Sequence, residues 1–322
     1  RRGGGIFALQ RENNAQGACD LGTLPDFLPG YQAIDDAQAR QNFEGRWGVS
    51  LPIDAGLTAW EMIEGARQGK VKGMLIMGEN PALSFPSPSL VKEALASLDF
   101  LVVTDLFLSE TAKLATVVLP AASFAEKEGT FTNFEGRVQQ VRKAIEPLGD
   151  SLPDGEIILQ LASRMGYPMP YSSPRQIIDE IKELAPLYQR LSYTDFEAGD
   201  VHRGRFSPVE YTPLKNRAKD GYPLTLQSGS ILYHFGTGSR SLRASRLKKF
   251  SPQAFVEVSE TDAENLGISH GDMVKVVSPV GEVTTTARIT DRLPPGMLFM
   301  PVSFPESPVN ELFSAVLDPR AK

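Results

Sequence analysis

The stretch VKGMLIMGENP (71–81), together with FLVVTDLFLSETAKLATVVLP (100–120), decides the fold class. Val71 to Met77 is a short apolar run that reads as a buried strand, Ser87 to Leu98 as an amphipathic helix and Phe100 to Thr104 as a second strand. Ser109 to Ala115 is expected to be helical and Thr116 to Leu119 a third buried strand. This alternation predicts a parallel sheet with helical crossovers, an α/β unit whose ligand crevice lies outside the carboxyl ends of the strands. Gly78-Glu79-Asn80-Pro81 and Thr104-Asp105-Leu106 fall at those ends. There Gly78 permits close backbone approach while Glu79 and Asn80 can face a polar ligand; a plain turn and helix entry is the competing reading.

Outward from this unit, Leu57 to Gln68, Pro153 to Met165 and Ser173 to Leu184 read as further helices. The segment up to about Tyr31 is dense in Asn, Gln, Gly and Pro and is expected to be ordered loop. Beyond about Gly221, Leu224 to Leu226, Ala254 to Val258, Met273 to Ser278, Glu282 to Ile289 and Met297 to Pro301 are strand-like and punctuated by Gly and Pro, which suggests a small β-barrel. Three consecutive domains are expected: 1–65, part of a binding domain; 66–217, α/β with a helical extension; and 218–322, the barrel.

The 322 residues carry a formal charge of −6, which gives no electrostatic reason to expect nucleic acid as a partner. No apolar run approaches the roughly 20 residues of a membrane helix. One cysteine, Cys19, rules out an internal disulfide framework or a cysteine metal cluster and fits a cytoplasmic setting. His202, His234 and His270 lack metal-ligand spacing and read as surface or packing residues. Nucleophile and base pairs are not evident, so catalysis by this chain alone is not expected.

Several loops carry ligand-compatible chemistry. Asn13-Asn14-Ala15-Gln16 clusters amides beside Gly17, suited either to a ligand with mixed hydrogen-bonding edges, such as a pterin or guanine, or to loop capping. In Ser123 to Arg137, Thr130, Thr132 and Asn133 can bond phosphate oxygens and Arg137 can take a phosphate bidentately, unless Glu135 simply forms a salt bridge. Ser228-Gly229-Ser230 and Tyr233 to Arg240 combine small residues, hydroxyls and an Arg, without the Gly-Lys-Ser/Thr ending of a P-loop. The basic run Arg240 to Lys249 reads as a solvated face.

These motifs together resemble the molybdopterin oxidoreductase family, in particular formate dehydrogenase alpha subunits. The carriers are Gly3 to Phe7, Asn14 to Gly22, Met77 to Leu83, Thr104 to Ala112, Val118 to Ala121, Glu128 to Asn133, Asp262 to Ile268, and Gly271-Asp272 through Pro319. The resemblance implies Rossmann-like domains and a double-psi β-barrel, holding two molybdopterin guanine dinucleotides with molybdenum or tungsten. It also implies that Gly78, Glu79, Asn80, Asp105 and Thr111 serve one nucleotide, with Asn14, Gln16, Thr130, Asn133 and Arg137 contributing, and that Gly229, His234, Thr237, Asn310 and Lys322 act from the barrel. The implied partners are the N-terminal half of the same subunit, with its metal ligand and iron–sulfur cysteines, and iron–sulfur or flavin subunits linked to NAD. Gln10 stands where formate dehydrogenases carry an active-site Arg, with Arg11 beside it. Asn133 to Arg137 is closer to the large iron–sulfur subunit of NADH-quinone oxidoreductase, which implies a metal-free structural module as the alternative.

Overall fold

The computed structural model describes residues 9, 12–189 and 221–315. Gln10, Arg11, His202 and Lys322 lie outside them. The chain forms two compact units that interleave along the sequence: 1–62 with 120–209, and 63–119 with 210–322.

In the first unit, α1 (Ala15–Asp20) is followed by the short antiparallel pair β1 (Phe27–Leu28) and β2 (Gln32–Ala33), then by α2 (Ala37–Trp47). Asp36 caps α2 by accepting from the Gln38 and Ala39 amides, which would otherwise have no partner. The helix buries only Ala39 and Phe43, one turn apart, against Leu28, and the fully buried Phe43 side chain contributes about 1.5–3 kcal/mol. The sequence reading did not anticipate α2, because its other nine positions are polar, small or partly exposed.

The polar stretch after Ser123 folds as an antiparallel hairpin, β6 (Gly129–Thr132) and β7 (Val138–Val141), in register Thr130↔Gln140. Helices α6 (Asp154–Arg164) and α7 (Pro174–Leu184) complete the unit, and Trp47 and Arg46 both donate to Glu180 of α7 at 3.0 Å. The short turn Pro186–Tyr188 seats Tyr188 against Val138. Helix α3 (Ala59–Arg67) contains the sequence boundary at which the chain passes from the first unit to the second.

The second unit carries the expected strands. β3 (Gly73–Met77) pairs in parallel with β4 (Phe100–Asp105), in register Met77↔Thr104, and β5 (Val117–Pro120) follows on the far side of β4. Helices α4 (Pro81–Ser84) and α5 (Pro88–Ala96) make the crossover, with Val91, Ala94 and Leu95 buried.

Two local expectations need correction. β3 and β5 are not fully buried: in β3 Ile76 is buried but Leu75 is 47% exposed, and in β5 the adjacent Val117 and Val118, which point to opposite faces, are both exposed. The helix expected over Ser109 to Ala115 is only a single 3₁₀ turn, Ala112–Leu114, since Thr111 turns its hydroxyl to bonds outside the segment.

The region from Thr225 onward is a mixed five-stranded sheet, ordered β10–β11–β9–β12–β8. Its strands are β8 (Thr225–Gly229), β9 (Phe255–Ser259), β10 (Met273–Val277), β11 (Glu282–Thr290) and β12 (Met297–Pro301). β12 runs parallel to β8 and antiparallel to β9, while β11 runs parallel to β9 and antiparallel to β10. Val256, Val258, Val283, Leu298 and Met300 form its core with Val309 and Leu312. The small helices α8 (Ser245–Phe250) and α9 (Glu260–Leu266) lie in its connections. No described helix is long and apolar enough to cross a membrane.

Candidate functional site

The carboxyl ends of β3 and β4 lie side by side, and the residues just past them are those expected at the crevice. Gly78 donates to the Thr104 carbonyl at 2.8 Å and sits at φ +66, a left-handed conformation that disfavours a side chain. Nothing lies within 4 Å of where its Cβ would be, so the backbone there is open to a ligand. Glu79 is exposed, and among the described residues its one hydrogen bond is accepted at Oε1 from the Ser84 hydroxyl at 2.6 Å. Asp105 is partly exposed and caps the Leu106 amide through Oδ1 at 2.7 Å. Two carboxylates beside an open glycine make an acceptor-rich edge, which matches the N1–H and N2–H donors of a guanine base.

Asn80 and Thr111 differ from these neighbours, being 7% and 0% exposed. The Asn80 amide donates to Glu110 Oε2 at 2.9 Å and to Ser239 Oγ at 3.0 Å, and its oxygen accepts twice from Thr111. Thr111 Oγ1 in turn accepts from the Ala82 amide at 3.1 Å. All four hydrogen-bonding positions of the Asn80 side chain are therefore occupied within the protein. Burial pushes the Glu110 carboxyl up, but the Asn80 amide, its own backbone N–H, Lys113 and Arg243 together outweigh this and hold it below its ordinary value of 4.5. Glu110 and Ser239 were not singled out by the sequence reading; each is recognisable only by its partner.

In the connection between β8 and β9, Ser239 also bonds Thr237 Oγ1 at 3.0 Å. Thr237 and Asn310 line a void of about 10 Å³, room for no more than one water, and Asn310 donates to the Leu83 and Ser84 carbonyls. Gly229 ends β8 beside Phe299. His234 is 2% exposed, with Nε2 at 2.8 Å from the Ser251 carbonyl and Nδ1 at 3.2 Å from Ser241 Oγ. A carbonyl can only accept, so Nε2 donates to it. The structure thus brings Gly78, Glu79, Asn80, Asp105, Thr111, Thr237 and Asn310 into one unit, with His234 packed inside it.

Asn14, Gln16, Thr130, Asn133 and Arg137 belong to the first unit. Asn14 Oδ1 accepts from the Thr132 amide at 2.8 Å, pinning the hairpin to α1. Asn14 and Thr130 line a cavity of about 150 Å³ with Thr23, Thr132 and Tyr188. Gln16 donates to Asp20 at 2.6 Å. Asn133 Oδ1 closes the hairpin turn by accepting from the Glu135 and Arg137 amides, leaving the Arg137 side chain exposed. Among the described residues no group of three or more His, Cys, Asp or Glu is placed to hold a metal ion.

Residues 1–164, half of the chain, match the family model described as molybdopterin oxidoreductase. The chain belongs to the molybdopterin oxidoreductase family. Residues 224–322 match a second model, described as a molydopterin dinucleotide binding domain, so the mixed sheet of this family member lies within that domain. Among curated relatives, the F420-dependent formate dehydrogenase subunit alpha of Methanocaldococcus jannaschii is 41% identical over 349 aligned residues, covering 100% of this chain and 51% of the relative. The putative formate dehydrogenase of Bacillus subtilis is 38% identical over 344, covering 99% and 35%. The NADPH-Fe(3+) oxidoreductase subunit alpha of Geobacter sulfurreducens is 37% identical over 312, covering 97% and 36%. The chain therefore spans about half, or less, of the relatives it matches. Acetylene hydratase from Pelobacter acetylenicus shares the fold, with a TM-score of 0.63 at 19% identity over 83% of this chain and 42% of that one.

Proposed function

We propose that this chain is the dinucleotide-binding part of a formate-dehydrogenase-like oxidoreductase, holding molybdopterin guanine dinucleotide for a molybdenum or tungsten centre. The observation that carries the reading is the acceptor edge at the ends of β3 and β4. Glu79 and Asp105 would accept from the guanine N–H groups, and the open backbone at Gly78 would let the base lie close. Asn80 and Thr111 hold that edge in shape through bonds of their own. Gly229, Thr237, Asn310 and Lys322 would serve the nucleotide from a domain read as a double-psi barrel beside a Rossmann-like one, with His234 fixing the loop between Phe235 and Ser241. Asn14, Gln16, Thr130, Asn133 and Arg137 would serve the second dinucleotide of a bis-pterin cofactor.

When bound, the metal centre would accept the two electrons removed from the substrate; the protein's contribution is binding and orientation. The names of the relatives support formate as substrate, and one of them a nicotinamide-linked electron partner; iron–sulfur or flavin subunits and a cytoplasmic setting belong to this reading. The consecutive domains 1–65, 66–217 and 218–322 remain part of this reading.

Elemental and pterin analysis of the full-length complex containing this chain tests it. About one molybdenum or tungsten with two guanine dinucleotides per chain is the expected result. A complex without metal or pterin that still oxidises NADH would overturn it in favour of a structural module.

A further inference from the structure

Arg243 closes the short turn Ser241–Arg243 in the connection between β8 and β9, inside the basic run expected to be a solvated face. Its guanidinium is engaged rather than free. Nε donates to the Ser239 carbonyl at 3.0 Å, a terminal nitrogen donates to the Leu108 carbonyl at 3.4 Å, and Cζ lies 4.6 Å from the centroid of the Phe107 ring. The Leu108 bond is long, while the ring contact is well inside the roughly 6 Å of a cation–π pair.

These contacts meet both loops of the crevice. On the β3 side, the Ser239 hydroxyl accepts from the Asn80 amide at 3.0 Å while Arg243 holds the carbonyl of the same residue. On the β4 side, Phe107 and Leu108 are 39% and 56% exposed, and among the described residues their hydrogen bonds stay within the loop apart from the one to Arg243. Ser109 donates to the Phe107 carbonyl at 2.8 Å, and the Leu106 amide donates to Asp105 Oδ1 at 2.7 Å. The Asp105 carboxylate is thus tied to the first amide of a loop whose outer turn is fastened elsewhere by Arg243.

We infer that Arg243 is a positioning residue for the nucleotide crevice: it fastens the loop after β4 to the Ser239 loop, and so holds the Asp105 carboxylate where a guanine base would meet it. A planar, forked cation suits this task, since one guanidinium serves two carbonyls and presents its face to Phe107 at once. A lysine ammonium has the charge without the fork. The inference rests on the reading of Asp105 as a guanine contact. It adds that the grip on the base depends on a side chain outside the acceptor edge, 135 residues along the chain from the carbonyl it holds.

The test uses the full-length holo complex and the rate at which it loses guanine dinucleotide. Arg243→Ala is expected to speed that loss roughly 10-fold, the scale of one hydrogen bond together with one cation–π contact, and Arg243→Lys to restore little of it. A residue that acts through Asp105 adds nothing once Asp105 is changed, so Arg243→Ala with Asp105→Asn should lose dinucleotide no faster than Asp105→Asn alone. Full rescue by Arg243→Lys, or a double variant in which the two single effects multiply, overturns the inference, because Arg243 would then act as a charge on the ligand itself. Hydrogen exchange reads the loop without reference to any ligand: the amides of Leu106 and Ser109 should exchange roughly 10-fold faster in Arg243→Ala, and wild-type exchange there also overturns it. Unchanged dinucleotide loss in Asp105→Asn would sink the guanine reading of Asp105, while the exchange rates would still decide whether Arg243 holds the loop.

Discussion

Asn80 and Thr111 are joined twice: Asn80 Oδ1 accepts from the Thr111 amide at 3.1 Å and from the Thr111 hydroxyl at 2.8 Å, both out of contact with water. This ties the loop after β3 to the loop after β4.

Thr111→Val keeps the side-chain shape but removes the hydroxyl. The Ala82 amide then loses its acceptor and Asn80 one of its donors. A loss of about 1–3 kcal/mol in urea denaturation is expected, the cost of buried polar groups left unpaired.

Asn80→Ala should make stability depend on acid in a defined way. Glu110 has a folded-state value lowered below 4.5, so it contributes stability above that value that is lost as pH falls through the lowered one. Removing the Asn80 amide takes away one lowering contact. The stability gap between wild type and variant should therefore narrow as pH drops below about 4.5, which denaturation midpoints across pH 3 to 7 would reveal. A gap constant with pH would mean that Glu110 does not respond to Asn80.

Gly238→Ala should destabilise the second unit. Gly238 sits at φ +77, and an added Cβ would fall on the Ser303 carbonyl oxygen and the Leu242 side chain. The carbonyl is not free to move, since Ser303 is fully buried and its hydroxyl is bonded to the Gly236 carbonyl. A loss above about 1 kcal/mol is expected, read as a lower Tm by calorimetry.

Asp105→Asn and Glu79→Gln should each weaken guanine dinucleotide retention with little change in Tm, because both side chains are partly or largely open to solvent. A charged hydrogen bond contributes about 1.5–3 kcal/mol, which corresponds to roughly 10- to 150-fold in affinity. Dinucleotide released from the purified complex by acid measures it. Full retention in both variants would remove these residues from the site. Arg137→Ala tests the first unit by the same assay.

Much of the second unit could be read from local pattern. The apolar run ending at Met77 and the one ending at Asp105 each span one strand, and Gly78 marks the end of the first. Helix α2 was missed because one buried face of Ala39 and Phe43 is too narrow a stripe for periodicity, although Asp36 is a standard cap. The hairpin around Thr130 is not legible in the sequence because its turn residue Asn133 has the same chemistry as a phosphate contact, and its Oδ1 closes the turn only once the strands pair.

What the sequence by itself determined is therefore local: strands from apolar runs, a helix entry at Pro81, and the presence of carboxylates and hydroxyls at the strand ends. Only the tertiary structure decided which of those groups meet. Asn80 meets Ser239 across 159 residues, Asp20 meets Tyr188 across 168, and β12 lies between β8 and β9 rather than beside its neighbour β11. The physical reason is that periodicity records which face of an element is buried, whereas a hydrogen-bond partner is chosen by where the chain returns. That return is set by the packing of the whole unit and leaves no mark within either segment.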